Sequence, residues 1–149
     1  MVDLRALEGL DVQAAVTLVI NPEGLVLMVS RKDDPNDMGL LGGKYDPVRD
    51  KDIVDTAINE AWEEAKLKLS RGNLELLFVD MARTRACACF LAKAYDDSEL
   101  MSAEEGIVVW GDFLRLLQGS FKEYNTRLLR RLLFTNYAGR ALPWTPKKG

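Results

Sequence analysis

Glu60, Glu63 and Glu64 close a stretch that opens on the pair Gly42-Gly43 and continues Lys44-Tyr45-Asp46. If the residues between wind into a helix, at about 100° per residue, the three glutamates share roughly one 100° arc. Ile53, Val54, Ala57, Ile58, Ala61, Trp62 and Ala65 fill the adjoining arc, which marks the face expected to pack. Neighbouring like charges on a solvated helix cost about 0.2–0.5 kcal/mol per pair. A divalent cation reverses that sign, because hard ions such as Mg²⁺ take carboxylate oxygens together with water and substrate phosphates. Read alone, such a run is more often a solvated acidic face. The glycine pair and the lysine upstream move the reading toward a site.

The stretch resembles the Nudix box, whose pattern is G-x5-E-x7-R-E-U-x-E-E-x-G-U, U being a bulky aliphatic residue. Gly42-Gly43-Lys44-x-Asp46 looks like the box opening, Glu60-Ala61-Trp62-Glu63-Glu64 occupies the E-U-x-E-E core, and Leu67 sits at the last aliphatic position. The resemblance covers about four-fifths of the chain. Ser30-Arg31-Lys32 through Gly39-Leu40 looks like the lead-in, with Leu41 in place of a proline. Glu104-Glu105-Gly106 with Trp110, and Gly119-Ser120-Phe121 with Tyr124-Asn125, look like later family segments.

By resemblance, Glu60, Glu63 and Glu64 are expected as metal ligands, with the backbone carbonyl of Gly42 as a further ligand. The implied cofactor is Mg²⁺, with Mn²⁺ as substitute. Glu63 and Glu64 are catalytic through the metal, and a distal carboxylate, Glu105 with Glu104 as rival, serves as ligand or base. A solvent-facing acidic pair is the alternative there. Lys44 faces substrate phosphate or orients water, or is a surface lysine. Arg31, at a strand end, binds phosphate or is a strand-terminal charge. Trp110, Phe121 and Tyr124 form either a base-stacking pocket or core.

The sequence departs from the pattern in three places. Asn59 stands where the family has arginine, Lys66 where it has glycine, and two extra residues separate Gly43 from Asn59. No glutamate occupies the middle position; Arg49, Asp50, Lys51 and Asp52 lie nearby. Both partners of the family's structural arginine–glutamate pair are therefore read as lost together, a change that can be nearly neutral where losing one is not. On that reading Asn59 has no catalytic role and its helix is held by packing.

With 149 residues, 48% of them hydrophobic, the chain is read as one domain over 1–149 with a substantial core, its tail loose from about 138. A net charge of −3 gives no support to coating a nucleic acid or an anionic membrane. The absence of a long apolar run and of a signal-like start argues against membrane insertion or export. Cys87 and Cys89 are read as reduced, buried thiols on one face of a strand, as suits a cytoplasmic protein. With no histidine anywhere, Ser-His and Cys-His catalysis are excluded.

Apolar and β-branched runs predict strands over 12–20, 25–30, 74–81, 85–94 and 107–110, the first two joined as a hairpin by Asn21-Pro22-Glu23-Gly24. A helix is expected over 53–69, with Asp50 or Asp52 as N-cap and Gly72 near its stop. The segment 33–37 reads as a polar loop, and short helices are expected at 111–118 and 121–135. Strands interleaved with helices predict an α/β fold, one mixed sheet between helical layers. The resemblance implies the same, as a Nudix-like α/β/α sandwich.

The leading functional expectation is a Mg²⁺-dependent pyrophosphohydrolase. It would cleave a nucleoside diphosphate linked to another moiety, a small nucleotide such as a nucleoside triphosphate or dinucleotide. The alternative is a catalytically silent module of the same fold that binds nucleotide or protein. A purely structural α/β domain is a third class. A homodimer stays open.

Overall fold

The structure is a computed structural model that describes residues 4–82, 85–102 and 106–134. Two sheets and two helices carry the fold. Strands β1 (Val12–Leu18), β4 (Leu41–Lys44), β5 (Leu74–Ala82) and β6 (Arg85–Ala92) form a mixed sheet in the order β4-β1-β6-β5. β1 runs parallel to β6 and antiparallel to β4. Strands β2 (Val26–Arg31), β3 (Asp34–Gly39) and β7 (Val108–Gly111) form a second, antiparallel sheet in the order β3-β2-β7.

The expected hairpin of the first two strands opens almost at once. The turn is made, and Val19 accepts from the Leu27 N–H at 2.9 Å, but β1 and β2 then part into different sheets. Both edges of β1 are already taken by β4 and β6. The segment expected as a polar loop is mostly β3. Its Pro35 is tolerated because β3 is an edge strand, where one row of N–H groups has no partner strand to serve.

Helix α1 (Ile53–Ala65) lies on one face of the mixed sheet and helix α2 (Lys122–Phe134) on the other. Period-2 alternation sorts the strand residues between them. Ala15, Ala88 and Phe90 join Val54, Ala57 and Ala61 of α1 in one cluster. Leu18, Cys89 and Leu91 join Leu128 of α2 and Phe113 of the 3-10 turn Phe113–Leu117 in the other. The shared face of the two cysteines is thus as expected, and both are free thiols. Trp62, expected to pack, is exposed, with the ammonium groups of Lys66 and Lys68 at 4.9 and 5.8 Å from its ring. No helix among the described residues is long and apolar enough to cross a membrane. The tail from 138 lies outside the described residues.

α1 begins and ends for local reasons. The Asp52 side chain caps it, accepting from the Asp55 N–H at 3.0 Å. It stops at Ala65, short of the expected 69, because Lys66 takes φ 53°, ψ 34°. Lys66 N–H then donates to Trp62 O, and Leu67 N–H to Ala61 O, while the fully buried Leu67 packs beneath. This left-handed C-terminal motif is where helices prefer glycine, which accounts for the residue type expected at this position. A lysine there is strained by about 1–2 kcal/mol, partly offset by its contact with Trp62, about 0.5–1 kcal/mol. Lys66→Gly should therefore raise stability by about 0.5–1 kcal/mol, a melting-temperature gain of about 1–4 °C by calorimetry. An unchanged or lower melting temperature would show that the strain is not felt.

Candidate functional site

The site assembles where β4 meets α1. β4 is an edge strand whose odd-numbered residues bond to β1, as in Tyr45 N–H donating to Gln13 O at 2.8 Å. Gly42, opposite Val16, turns its N–H outward instead, and donates it to Glu64 Oε1 at 2.8 Å. In an extended strand a residue's carbonyl lies on the same edge as its N–H, so the Gly42 carbonyl faces the same way. At Gly43 a Cβ would overlap the Glu60 carboxylate. Glycine is required there so that backbone and carboxylate can approach.

The loop between β4 and α1 is organised by a buried carboxylate, Asp50. Its oxygens accept from Arg49 Nε at 2.6 Å and Nη2 at 2.9 Å, from Asn59 Nδ2 at 2.8 Å, from Thr56 Oγ1 at 2.9 Å and from Asp46 N–H at 3.0 Å. The Arg49 fork first, then the backbone N–H of Asp46 and the Asn59 and Thr56 donors, hold this carboxyl well below the usual carboxylate range. The same pairing pushes the Arg49 pKa up. The structural pair expected to be lost is therefore rebuilt. Asp50 supplies the carboxylate, Asn59 makes a hydrogen bond from the helix, and Arg49 of the loop supplies the positive charge. Asp50 was a candidate N-cap by sequence; Asp52 takes that role and leaves Asp50 for this one.

Arg49 reaches further. Its Nη1 lies 3.3 Å from Glu60 Oε1 and 3.0 Å from Glu63 Oε2. Glu60 and Glu63 are thus drawn toward a guanidinium and Glu64 toward Gly42. Among the described residues no group of three acidic, cysteine or histidine side chains is gathered closely enough to hold a metal ion. The donor chemistry still fits a hard divalent cation: three carboxylates on one helical arc, beside a glycine edge with an outward carbonyl and room for no side chain.

Beside the carboxylates opens a pocket of about 370 Å³ between the two sheets, lined by residues of β1 to β4, Glu64 and the start of α2. Arg31 and Lys44, both expected to meet phosphate, line it together with Gly42 and Gly43. Arg31 is half-exposed and lies 3.5 Å from Asp33 and 3.9 Å from Asp37. Phe121 and Tyr124 form an aromatic wall, as one reading of the aromatics had it. Trp110 does not: it packs on the α1 side of the sheet, its ring centroid 6.0 Å from that of Tyr95. Burial pushes the Tyr124 hydroxyl pKa up, and the hydroxyl lies 3.9 Å from Cys87 Sγ.

Sequence reasoning did not find the clamp that sets this wall. Asp37 of β3 accepts from Ser120 N–H at 3.0 Å and from Ser120 Oγ at 2.6 Å, contacts that lower its pKa. Phe121 follows directly and lies over Gly39, where a Cβ would come within 3.2 Å of its ring. The segment Gly119-Ser120-Phe121 was noticed, but its partner across 83 residues of chain carries no local signal. Glu104 and Glu105 lie outside the described residues. Their neighbour Gly106 sits against the carbonyl of Ser30, and Ile107 N–H donates to Ser30 Oγ at 2.9 Å. Ser30 lines the pocket.

The sequence matches no protein-family model and no curated protein. The structure is similar to solved ones. MutT, described from Aliivibrio salmonicida and Vibrio cholerae, superposes with a TM-score of 0.65 at 14% identity, over 82% of this chain and 96% of that one. MutT NUDIX hydrolase from Burkholderia pseudomallei gives 0.60 at 23% identity, over 82% and 98%. The NUDIX domain of Shewanella oneidensis NrtR, solved with ADP ribose, gives 0.59 at 19% identity, over 88% and 96%. The chain has the Nudix fold, as the resemblance of its box implied.

Two outcomes follow from the Asp50 network. Asn59→Ala removes a hydrogen bond to a buried charge, and should cost about 1.5–3 kcal/mol in denaturant unfolding rather than behave as a surface change. Asp50→Asn should cost about 3–5 kcal/mol at pH 7, since it strands the donors of Arg49 and Asn59. The sign with pH is set by the lowered folded-state pKa. Stability from Asp50 is fully present above the unfolded-state value of about 3.9, and is lost as pH falls through the folded value. The gap between wild type and Asp50→Asn should therefore shrink below about pH 4. A gap independent of pH would show that Asp50 is not ionised in the native protein.

Proposed function

We propose that this chain hydrolyses a phosphoric anhydride bond in a small nucleotide, as a Nudix-type pyrophosphohydrolase dependent on Mg²⁺, or on Mn²⁺ as substitute. The observation that carries this reading is the placing of Glu64, the Gly42-Gly43 edge, Lys44 and Arg31 around one pocket with an aromatic wall. Hydrolysis of such a bond needs a water in line with phosphorus and neutralisation of charge on the phosphate oxygens; positioning and electrostatics supply most of the rate.

Glu60, Glu63, Glu64 and the Gly42 carbonyl would hold the divalent cation, which when bound acidifies water and neutralises phosphate charge. Lys44 and Arg31 hold phosphate oxygens at the rim. Phe121 and Tyr124 receive the flat, apolar part of the substrate. Glu105, with Glu104 as rival, accepts the water proton. The water oxygen bonds to phosphorus, the bridging P–O bond breaks, and the leaving phosphate takes that bond's electron pair.

The ADP ribose bound by the NrtR NUDIX domain puts a nucleoside diphosphate joined to a second moiety on the substrate panel beside nucleoside triphosphates and dinucleotides. One observation favours the silent-binder reading: Arg49 already engages Glu60 and Glu63. Phosphate release across that panel, with and without Mg²⁺ and Mn²⁺, separates the two. Metal-dependent release from at least one member is expected, and Glu64→Gln should reduce it at least tenfold, about 1.4 kcal/mol of transition-state stabilisation, while the protein stays folded. Nucleotide binding without release under any metal would establish the silent module instead.

A further inference from the structure

The Arg49 guanidinium divides its donors between two jobs. Nε and Nη2 clasp the two oxygens of Asp50, whose side chain is wholly buried. Nη1, on another edge of the same planar group, donates to Glu60 and Glu63. The fork on Asp50 is bidentate and shared with three further donors, so it fixes the guanidinium in place. The Nη1 arm is different: its contacts are single and longer, and Glu63 is half-exposed at 53%. Glu60, at 17% side-chain exposure, is a carboxylate that needs a counter-charge nearby. Arg49 provides it from the loop that carries two more residues than the box pattern.

We propose that Arg49 is a built-in counter-cation of the box carboxylates, competing with divalent metal for Glu60 and Glu63, so that metal loading requires the two carboxylates to leave its Nη1. This rests on the hydrolase reading only in taking those glutamates as metal ligands. A guanidinium hydrogen-bonded to a carboxylate blocks oxygen lone pairs that a hard cation would take, and repels the cation besides. Glu60 and Glu63 can leave Nη1 by side-chain rotation without dismantling the loop, because the fork on Asp50 holds the guanidinium without them. The Asp50 carboxylate also keeps its Asn59, Thr56 and Asp46 donors if Arg49 is replaced. Metal affinity in this chain is therefore set low by an intramolecular competitor, and the carboxylates are kept compensated between metal-bound states.

The test is binding of Mn²⁺ alone to the full chain, with free Mn²⁺ counted by electron paramagnetic resonance. Arg49→Gln should bind Mn²⁺ at least tenfold more tightly than wild type. Arg71→Gln is the control: Arg71 pairs with Asp52 and Asp55 at the start of the same helix, at 2.6 and 3.0 Å, so it reports the effect of charge alone. Its affinity should change less than twofold. Equal affinity in wild type and Arg49→Gln overturns Arg49's role and leaves the hydrolase reading standing. An equal gain in both variants also overturns it, as a general field effect. No binding by any of the three overturns both readings. A second measurement needs no variant, should Arg49→Gln fail to fold. In a Mg²⁺ titration of wild type, the Arg49 guanidinium resonances should shift in step with metal occupancy. Resonances that stay fixed while Mg²⁺ binds would sink the proposal.

Discussion

Everything around the site depends on one buried carboxylate. Asp50 accepts hydrogen bonds from a loop backbone, a loop arginine and two helix side chains, and so fixes the position of α1 relative to β4. A buried charge is tolerable only when its lone pairs are filled and a counter-charge lies close. Here both conditions are met by residues that also approach the site. Arg49 touches Glu60 and Glu63, and Asn59 precedes Glu60 on the helix. The structural and chemical parts of this region therefore meet at a single guanidinium, whose fork serves the loop and whose Nη1 serves the carboxylates.

The carboxylate triad was legible because charge placement at 3.6-residue periodicity survives in any sequence that keeps the helix. The structural pair was not. A two-residue extension moved the carboxylate off its expected place, onto Asp50, and an asparagine replaced the helix arginine. Residue type and spacing changed together, so a pattern that checks both saw a double loss where the contact itself persists. β3 was hidden for a different reason. Asp34-Pro35-Asn36-Asp37 has turn composition, and pairing of Asp34, Met38 and Gly39 with β2 makes it a strand. The same holds for β1 and β2, whose short turn favoured a hairpin until non-local partners claimed both edges of β1.

The aromatics show what local reasoning can and cannot decide. Trp110, Phe121 and Tyr124 have similar sequence signatures, yet one packs beside α1 and two line the pocket. What separates them is a contact over a long stretch of chain: Asp37 fixes Ser120, and Ser120 delivers Phe121 over a glycine. Gly39, Gly42 and Gly43 all serve one end. Each sits where a side chain would fill space needed by a ring, a neighbouring strand or a carboxylate. The glycines are thus the negative image of the site.

The two halves of the pocket differ in chemistry, one aromatic and one charged. The aromatic half lies between the sheets, where, on the proposed function, a flat ligand part would gain from leaving water and need little orientation beyond shape. The charged half lies on an edge strand and a helix face, where outward backbone groups and carboxylates stay partly hydrated. Of the two rings Tyr124 is the more buried, while Phe121 is 42% exposed. The seam between the two sheets is the place in this fold where an aromatic wall and a charged edge adjoin, and Lys44 and Arg31, at the ends of β4 and β2, stand at that boundary.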